Sequence, residues 1–175
     1  MLKRLKTEKT KRSDTPSRVL VVDDHPDAAR LVAKLLRRSG YEVATVGDDQ
    51  VALQTLTTEQ VPITAVVASF SAGGTSAALK LLDAIRHAPE AKVHQVRVVL
   101  IMDSGTHIAF AWQSGADAIV RRPYRGETLL EELAAAISRT GEERGAWRVK
   151  QLDEARPGLG AGVGDDANQP AVQFN

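Results

Sequence analysis

The sequence contains no cysteine, which excludes disulfide scaffolds, thiolate zinc sites and cysteine nucleophiles. Aromatic residues make up 4% of the chain, too few for a platform on which single-stranded bases stack. Basic and acidic residues nearly cancel, leaving a formal net charge of +1, so the overall charge does not indicate binding to nucleic acid or to a membrane surface. The chain has no apolar run of the roughly 20 residues that a membrane helix needs and no apolar signal-peptide segment near its start. We therefore expect a cytoplasmic protein.

The two ends of the chain have little apolar surface to bury. Residues 1–17 hold six basic and two acidic residues without an apolar period, which predicts a disordered basic arm. A nucleic-acid contact through this arm would weaken steeply with salt, but a solvated leader is the favoured interpretation. Residues 156–175 predict a disordered glycine-rich tail, and residues 141–155 a polar extension that can be helical. One globular domain is expected over residues 18–140.

Within residues 18–140, β-branched runs alternate with amphipathic segments. The runs predict five strands, at Arg18–Asp23, Tyr41–Val46, Ile63–Ser69, Val96–Met102 and Ala118–Val120. Helices are predicted between and after them, from Pro26, from a cap at Asp48 or Asp49, from a cap at Thr75 or Ser76, at Ile108–Gln113 and at Glu127–Ser138. Leu31, Val51 and Ala134 are among the residues expected on the inner faces of these helices. Five strand–helix units indicate an α/β domain with a parallel sheet covered on both faces.

In such a sheet, binding sites form outside the carboxyl ends of the strands. The polar residues that the predicted strands bring to this edge are Asp23, Asp24, Ser69, Asp103, Ser104 and Arg122, together with Pro123. No two of the four histidines stand at i, i+4, and the chain has no G-x-S-x-G motif, so neither a zinc site nor a hydrolase triad is predicted. The sequence therefore predicts a site at this edge but not an enzyme.

Four stretches resemble the CheY-like receiver domains of bacterial two-component response regulators, in this order: Val19–Asp24, Gly40–Val43, Ser114–Ala118 and Arg122–Tyr124. The resemblance covers residues 18–140 and implies a flavodoxin-like, doubly wound (βα)5 fold. It also implies the chemistry of that family, in which a partner histidine kinase transfers a phosphoryl group to an aspartate at the end of the third strand. An acidic pair on the first strand then holds Mg²⁺. A cis peptide bond before Pro123 is implied as well.

Several positions depart from the pattern of that family. Ser69 stands at the acceptor position, and residues 61–72 contain no Asp or Glu, so a shifted register supplies no acceptor. A serine hydroxyl is not ionised and cannot form an acyl phosphate. Arg122 replaces a lysine, which changes a point charge into a planar fork, and Ile119 replaces an aromatic switch residue. The hydroxyl position after the fourth strand aligns loosely with Asp103 and Ser104. The sequence therefore resembles a degenerate, pseudo-receiver variant.

The acidic pair Asp23 and Asp24 is the remaining candidate for metal binding. Without the third carboxylate, much of the charge that binds Mg²⁺ is missing, and a guanidinium can bridge carboxylates in its place. We therefore expect an ion pair between Arg122 and Asp23 or Asp24, and no cofactor. Binding of Mg²⁺ to Asp23 and Asp24 is the alternative.

The favoured interpretation is a non-catalytic, phosphorylation-independent signalling module whose partner is a protein, such as a histidine kinase or another regulator. Its candidate interaction face, also the face through which receivers form homodimers, lies on the predicted fourth helix, fifth strand and start of the fifth helix. It holds Trp112, Ile119, Arg121 and Tyr124; alternatively, Trp112 packs beneath its helix, at i+4 from Ile108. Two other functions stay open: a receiver that still responds to a kinase or to Mg²⁺, and a small anion- or nucleotide-binding module that uses the emptied pocket.

Overall fold

The computed structural model describes residues 16–70, 74–103 and 107–155. Its strands are β1 (Arg18–Asp23), β2 (Glu42–Val46), β3 (Ala65–Ser69), β4 (Arg97–Met102) and β5 (Ala118–Arg121). All of them pair in parallel in one five-stranded sheet, in the order β2-β1-β3-β4-β5. The predicted doubly wound α/β fold is therefore confirmed.

The helices of the described residues cover both faces of the sheet. They are α1 (Pro26–Arg38), α2 (Asp49–Thr58), α3 (Gly74–Arg86), α4 (Ala91–His94), α5 (Ile108–Gln113), α6 (Gly126–Ser138) and α7 (Gly141–Ala155). Helices α1 and α6 pack on one face of the sheet, whereas α2, α3 and α5 pack on the other. Because strand side chains point alternately to the two faces, Val19 and Val21 join one core cluster and Leu20 and Val22 the other. Burial on both faces explains why β1, β3 and β4 are nearly continuous apolar runs, whereas the edge strand β2 is partly exposed.

The start of α3 differs from the prediction. The helix begins at Gly74, so Thr75 and Ser76 lie inside it rather than capping it, and residues 71–73 lie outside the described part of the chain. A preference for hydroxyl residues at caps places a helix start only to within a residue or two. The one-turn helix α4 was not predicted, because four residues are too few to show an apolar period.

Three residues expected on the inner faces of helices lie on the outer faces. Leu31 is 74% exposed, and Val51 and Ala134 are exposed as well. In α1, the stripe that contacts the sheet is built largely from small residues, and its buried members are Ala29, Val32, Ala33 and Leu36. The prediction for Leu31 was wrong because it gave a large leucine more weight than the alanines of α1, although alanines let a helix approach a sheet closely.

Helix α2 starts with a side-chain cap at Asp48, whose Oδ1 accepts a hydrogen bond from the Val51 amide at 2.8 Å. Asp49, the other predicted candidate, lies in the first turn and accepts from the adjacent Gln50 amide at 3.1 Å. Asp48→Ala should lower the free energy of unfolding by about 1 kcal/mol. Asp49→Ala should lower it by about 0.3 kcal/mol, because it removes an interaction with the helix dipole. Urea unfolding measures both, and equal losses would contradict the assignment of Asp48 as the cap.

Helix α7 follows α6 after Arg139 and Thr140. Thr140 and Glu143 form a capping box: the Thr140 amide donates to the Glu143 carboxylate at 2.7 Å, and the Glu143 amide donates to the Thr140 hydroxyl at 3.3 Å. The bond from the Thr140 amide holds the pKa of the Glu143 carboxyl below its ordinary value. This box gives α7 a defined start of its own. Across residues 16–70, 74–103 and 107–155, no helix combines the length and apolarity that a membrane crossing requires.

Candidate functional site

The carboxyl edge of the sheet brings together polar residues from four strands. Asp23 and Ser69 are register partners at the ends of β1 and β3, and both are buried. Asp103 follows β4 and is exposed, whereas Arg122 follows β5 and is partly buried. Ser104, the other residue predicted after β4, lies outside the described residues.

The Arg122 guanidinium links the ends of β3 and β4. It donates a hydrogen bond to the Ser69 hydroxyl, and its Nη1 lies 3.6 Å from Oδ1 of Asp103. The Arg122 amide donates to the Met102 carbonyl at 2.9 Å, which fixes the backbone from which the side chain extends. A positive charge therefore stands directly beside the serine at the end of β3.

Asp23 has a different partner from the one predicted. Its Oδ1 accepts a hydrogen bond from the His25 amide at 2.8 Å. The His25 ring in turn accepts from the Ala28 amide at 3.3 Å, so that His25 caps α1. Among the ion pairs of the described residues, Arg122 is found with Asp103 rather than with Asp23, whereas the predicted alternative, a pair with Asp24, stays a prediction. The cause is geometric, because the fork that reaches Ser69 extends toward the β4 side of the sheet.

The loop after β5 shapes the other side of this site. The Arg122–Pro123 peptide bond is cis, as the resemblance implied. Tyr124 follows it, and burial raises the pKa of its hydroxyl above the ordinary value; the charge of Arg122 acts in the opposite direction and that of Asp23 in the same one. The Tyr124 ring packs against the core cluster beneath α1 and α6.

With the fold and this geometry established, comparison with known proteins identifies the family. The profile of the family described as "Response regulator receiver domain" matches residues 19–134. The chain belongs to this family. Members of this family are the receiver domains of response regulators and act in signalling. This chain therefore has a signalling role as a receiver domain.

Solved structures agree with the receiver fold. A response regulator from Thermotoga maritima is 24% identical in sequence to this chain and superimposes with a TM-score of 0.60. The match covers 71% of this chain and 100% of the Thermotoga chain. CheY4 of Vibrio cholerae is 22% identical with a TM-score of 0.59, covering 70% of this chain and 99% of that one. NtrX from Brucella abortus is 24% identical with a TM-score of 0.59, covering 80% of this chain and 30% of NtrX. No curated protein sequence matches the chain.

The site of this receiver does not fit the Mg²⁺ ion that its family implies. Among the described residues, no three His, Asp or Glu side chains converge as metal ligands. Ser69 offers a neutral hydroxyl that already accepts from a guanidinium, and one oxygen of Asp23 is engaged by an amide. Because Mg²⁺ prefers several anionic oxygens around it, the positive charge of Arg122 opposes its binding here.

A cleft of about 310 Å³ opens beside Asp23 and Asp24. Its other walls come from α1 and the end of β2 and include Arg30 and Thr45. The cleft therefore faces away from Ser69 and Arg122, which are not among its lining residues. Two carboxylates and two guanidiniums, those of Arg30 and Arg37, line the cleft, so its charges are balanced.

The predicted interaction face of the receiver is largely covered. Trp112 is 5% exposed and belongs to the core cluster, so the interpretation that it packs beneath its helix is correct and its placement on an exposed face is wrong. Ile119 and Tyr124 are partly buried, whereas Arg121 is exposed. Helix α7 packs along α5 and against the core cluster of Trp112 and Ile119, whereas Tyr124 packs against the other cluster, beneath α1 and α6.

A second polar cluster, at the amino edge of the sheet, was missed by the sequence analysis. Asp117 precedes β5 and is 2% exposed. It pairs with the guanidiniums of Arg86, Arg144 and Arg148 at 2.7, 2.7 and 2.9 Å, and it accepts the Val98 amide at 2.8 Å. We call these four charged side chains the Asp117 cluster. Its one sequence signal was the four-residue spacing of two arginines, which places both on one face of a helix.

Charge within the Asp117 cluster is strongly stabilised. Burial acts to raise the pKa of the Asp117 carboxyl, but the hydrogen bonds from Arg144 and the charge of Arg86 outweigh burial, so this pKa lies below its ordinary value. Burial lowers the pKa of Arg86 to about 10, although Asp117 acts to raise it. Both groups remain ionised at neutral pH. The cluster therefore connects α3, α7 and the residue before β5 through ionised side chains.

Proposed function

We propose that this receiver domain signals without being phosphorylated, by binding a protein partner in a two-component or phosphorelay pathway. The observation that carries the proposal is the hydrogen bond from the Arg122 guanidinium to the Ser69 hydroxyl at the end of β3. Phosphoryl transfer requires a nucleophile that is free to attack and cations placed to neutralise the transferred group. Here the nucleophile is replaced by a buried, neutral hydroxyl that is already bonded.

The charge arrangement at this edge supports a fixed state. Arg122 supplies one positive charge beside Ser69, and Asp103 lies against the same guanidinium. In a receiver that is switched by phosphate, the local charge changes when the phosphoryl group arrives. If no phosphoryl group is added, the charges at this edge belong to side chains alone and stay constant. A constant charge favours recognition of a partner through a constitutive surface.

The two alternative functions have less support. A receiver that responds to a kinase would need phosphoserine at Ser69, which is buried. An anion- or nucleotide-binding module would need a free cation, whereas Arg122 is engaged by Ser69 and Asp103. We therefore propose that the domain acts without a cofactor and without catalysis. We further propose that it acts in the cytoplasm and that its partner is a kinase or another regulator.

Amide NMR spectra recorded with Mg²⁺, and then with Mg²⁺ and beryllofluoride, test this proposal. Beryllofluoride mimics an acyl phosphate by binding to the acceptor carboxylate. Because the acceptor position holds Ser69, we expect no saturable shift of the Asp23, Asp24 or Ser69 resonances. Intact-mass spectrometry after incubation with acetyl phosphate should likewise show no added phosphoryl group. Saturable shifts at Asp23 and Ser69 that spread to α5 and α6 would overturn the proposal. The variant Ser69→Asp/Arg122→Lys serves as the positive control.

A further inference from the structure

Three of the side chains through which helix α7 contacts the domain are spaced four residues apart. Arg144 and Arg148 reach the buried Asp117, and Leu152 packs against the core cluster that includes Trp112. This spacing places all three on one face of the helix. We call them the Arg–Arg–Leu stripe.

The domain presents a matching set of acceptors to the stripe. The Asp117 carboxylate accepts from Arg144 at 2.7 and 3.0 Å and from Arg148 at 2.9 Å. The carbonyl of Gln95 accepts from Arg144 at 3.3 Å, and that of Ala116 accepts from Arg148 at 3.0 Å. We call these acceptors, together with α5, the docking surface. It combines one buried negative charge with backbone carbonyls and is therefore complementary to arginines.

Helix α5 adds an apolar part to the docking surface. Its six residues read IAFAWQ, so it is apolar on nearly all sides, and Ile108, Ala111 and Trp112 are buried. A helix with this much apolar surface is stabilised by a neighbouring helix. Helix α7 packs along α5 and covers part of this surface, whereas Phe110 stays 54% exposed.

Helix α7 is attached to the domain by ion pairs and by partly buried side chains, without a fully buried one. No residue of α7 is fully buried, whereas α6 buries Leu129 and Leu133. Trp147 and Leu152 are partly buried, and the main attachment is the pair of arginines at Asp117. Elements with few buried apolar contacts open at the lowest free-energy cost, so we expect α7 to be released more readily than α6.

Release of α7 leaves the docking surface intact. Arg86 stays paired with Asp117, and its other nitrogens donate to the carbonyls of His94, Val96 and Gly115 at 2.8, 2.8 and 2.9 Å. The buried carboxylate therefore keeps a partner and avoids the large cost of a buried, unpaired charge. Because Arg86 is fixed by these bonds, the acceptors remain in position for another helix.

We propose that the docking surface binds amphipathic helices that carry arginine, arginine and an aliphatic residue at i, i+4 and i+8, and that a partner protein inserts such a helix in place of α7. The proposal rests on the protein-binding function proposed above and names the class of partner. In this scheme, α7 is the resident ligand that keeps the surface closed until a stronger helix competes.

Binding of a labelled peptide of residues 140–155 to the full-length chain tests this exchange. In the variant Arg144→Ala/Arg148→Ala, the resident helix has lost its ionic contacts, so the peptide should bind at least about tenfold more tightly than to the wild type, where α7 competes. The matched control Glu142→Ala/Asp153→Ala replaces two exposed residues of α7 and should bind the peptide as weakly as the wild type. A peptide in which both arginines are alanine should bind to neither.

A second measurement uses the wild type alone. Excess peptide should accelerate hydrogen exchange of the α7 amides and leave the exchange of α6 unchanged, and this result decides the matter if the double variant fails to fold. Equal peptide binding by the variant and the wild type, or unchanged exchange of α7, would overturn the proposal. Neither readout involves Ser69 or Mg²⁺, so failure here is distinct from failure of phosphorylation-independent signalling.

Discussion

Asp117→Asn should lower the free energy of unfolding by about 3–5 kcal/mol, the usual cost of removing one partner of a buried ion pair. Asparagine keeps the shape of the side chain, so the loss isolates the effect of charge. Arg86, Arg144 and Arg148, which all contact this carboxylate, would then face one another without a counter-charge. Urea unfolding at neutral pH, followed by circular dichroism, measures the difference.

The matched control is Asp153→Asn, because Asp153 is an exposed residue of α7. Its effect on the free energy of unfolding should stay within about 0.5 kcal/mol, as for most surface substitutions. If the two variants were equally stable, the Asp117 cluster would not hold the domain together.

The effect of Asp117 also has a defined pH dependence. Its folded-state pKa is lowered, so its stabilising contribution is complete above the unfolded pKa of about 3.9. The contribution is lost as the pH falls through the lower, folded-state pKa. The difference in stability between wild type and Asp117→Asn should therefore be constant from about pH 5 to about pH 8 and shrink in stronger acid. A difference that changed between pH 6 and 8 would contradict this assignment.

The double variant Ser69→Asp/Arg122→Lys should bind Mg²⁺ more tightly than the wild type. It adds a third carboxylate beside Asp23 and Asp24 and removes the guanidinium that now contacts residue 69. A divalent cation about 4 Å from one added carboxylate gains about 2 kcal/mol even at the dielectric constant of bulk water, so affinity should rise at least about tenfold. Isothermal titration calorimetry measures the affinity, and NMR with beryllofluoride shows whether the switch returns.

The two single variants separate the causes. In Ser69→Asp, Arg122 remains and would pair with the new carboxylate, so the gain in Mg²⁺ affinity should be smaller than in the double variant. Arg122→Lys alone leaves the acceptor position without a carboxylate and should show no gain. A folded double variant that binds Mg²⁺ no better than the wild type would show that Ser69 and Arg122 do not account for the missing site.

The inner strands β1, β3 and β4 could be predicted from the sequence because they are buried on both faces of the sheet. The run Val98–Met102 is apolar throughout and buried throughout, so its identity does not depend on side-chain detail. The inner face of helix α1 was harder to predict, because Ala29 and Ala33 are among the residues that contact the sheet whereas Leu31 lies on the outer face. Composition does not show which of two overlapping stripes faces a sheet.

The position of the candidate site was predictable, but its pairing was not. The fold alone brings Asp23 and Ser69 to one edge, since register follows from the strand order. Which carboxylate Arg122 contacts depends on how a flexible side chain crosses neighbouring strands, and periodicity carries no such information. The Asp117 cluster joins Asp117 to Arg86, 31 positions earlier in the chain, so only the folded chain reveals it.

The chain has two tryptophans, and both lie where α7 meets the domain. Trp112 is a core residue of α5, and Trp147 packs against the same cluster, with the Arg139 guanidinium 4.0 Å and the Lys150 ammonium 5.6 Å from the centre of its ring. Trp112 stays in the core, so a change in the indole emission of the unlabelled protein reports on Trp147 and its contact with the domain. Departure of α7 would hydrate the Trp147 ring and shift its emission to longer wavelength, so stopped-flow fluorescence can time the opening of the native chain directly.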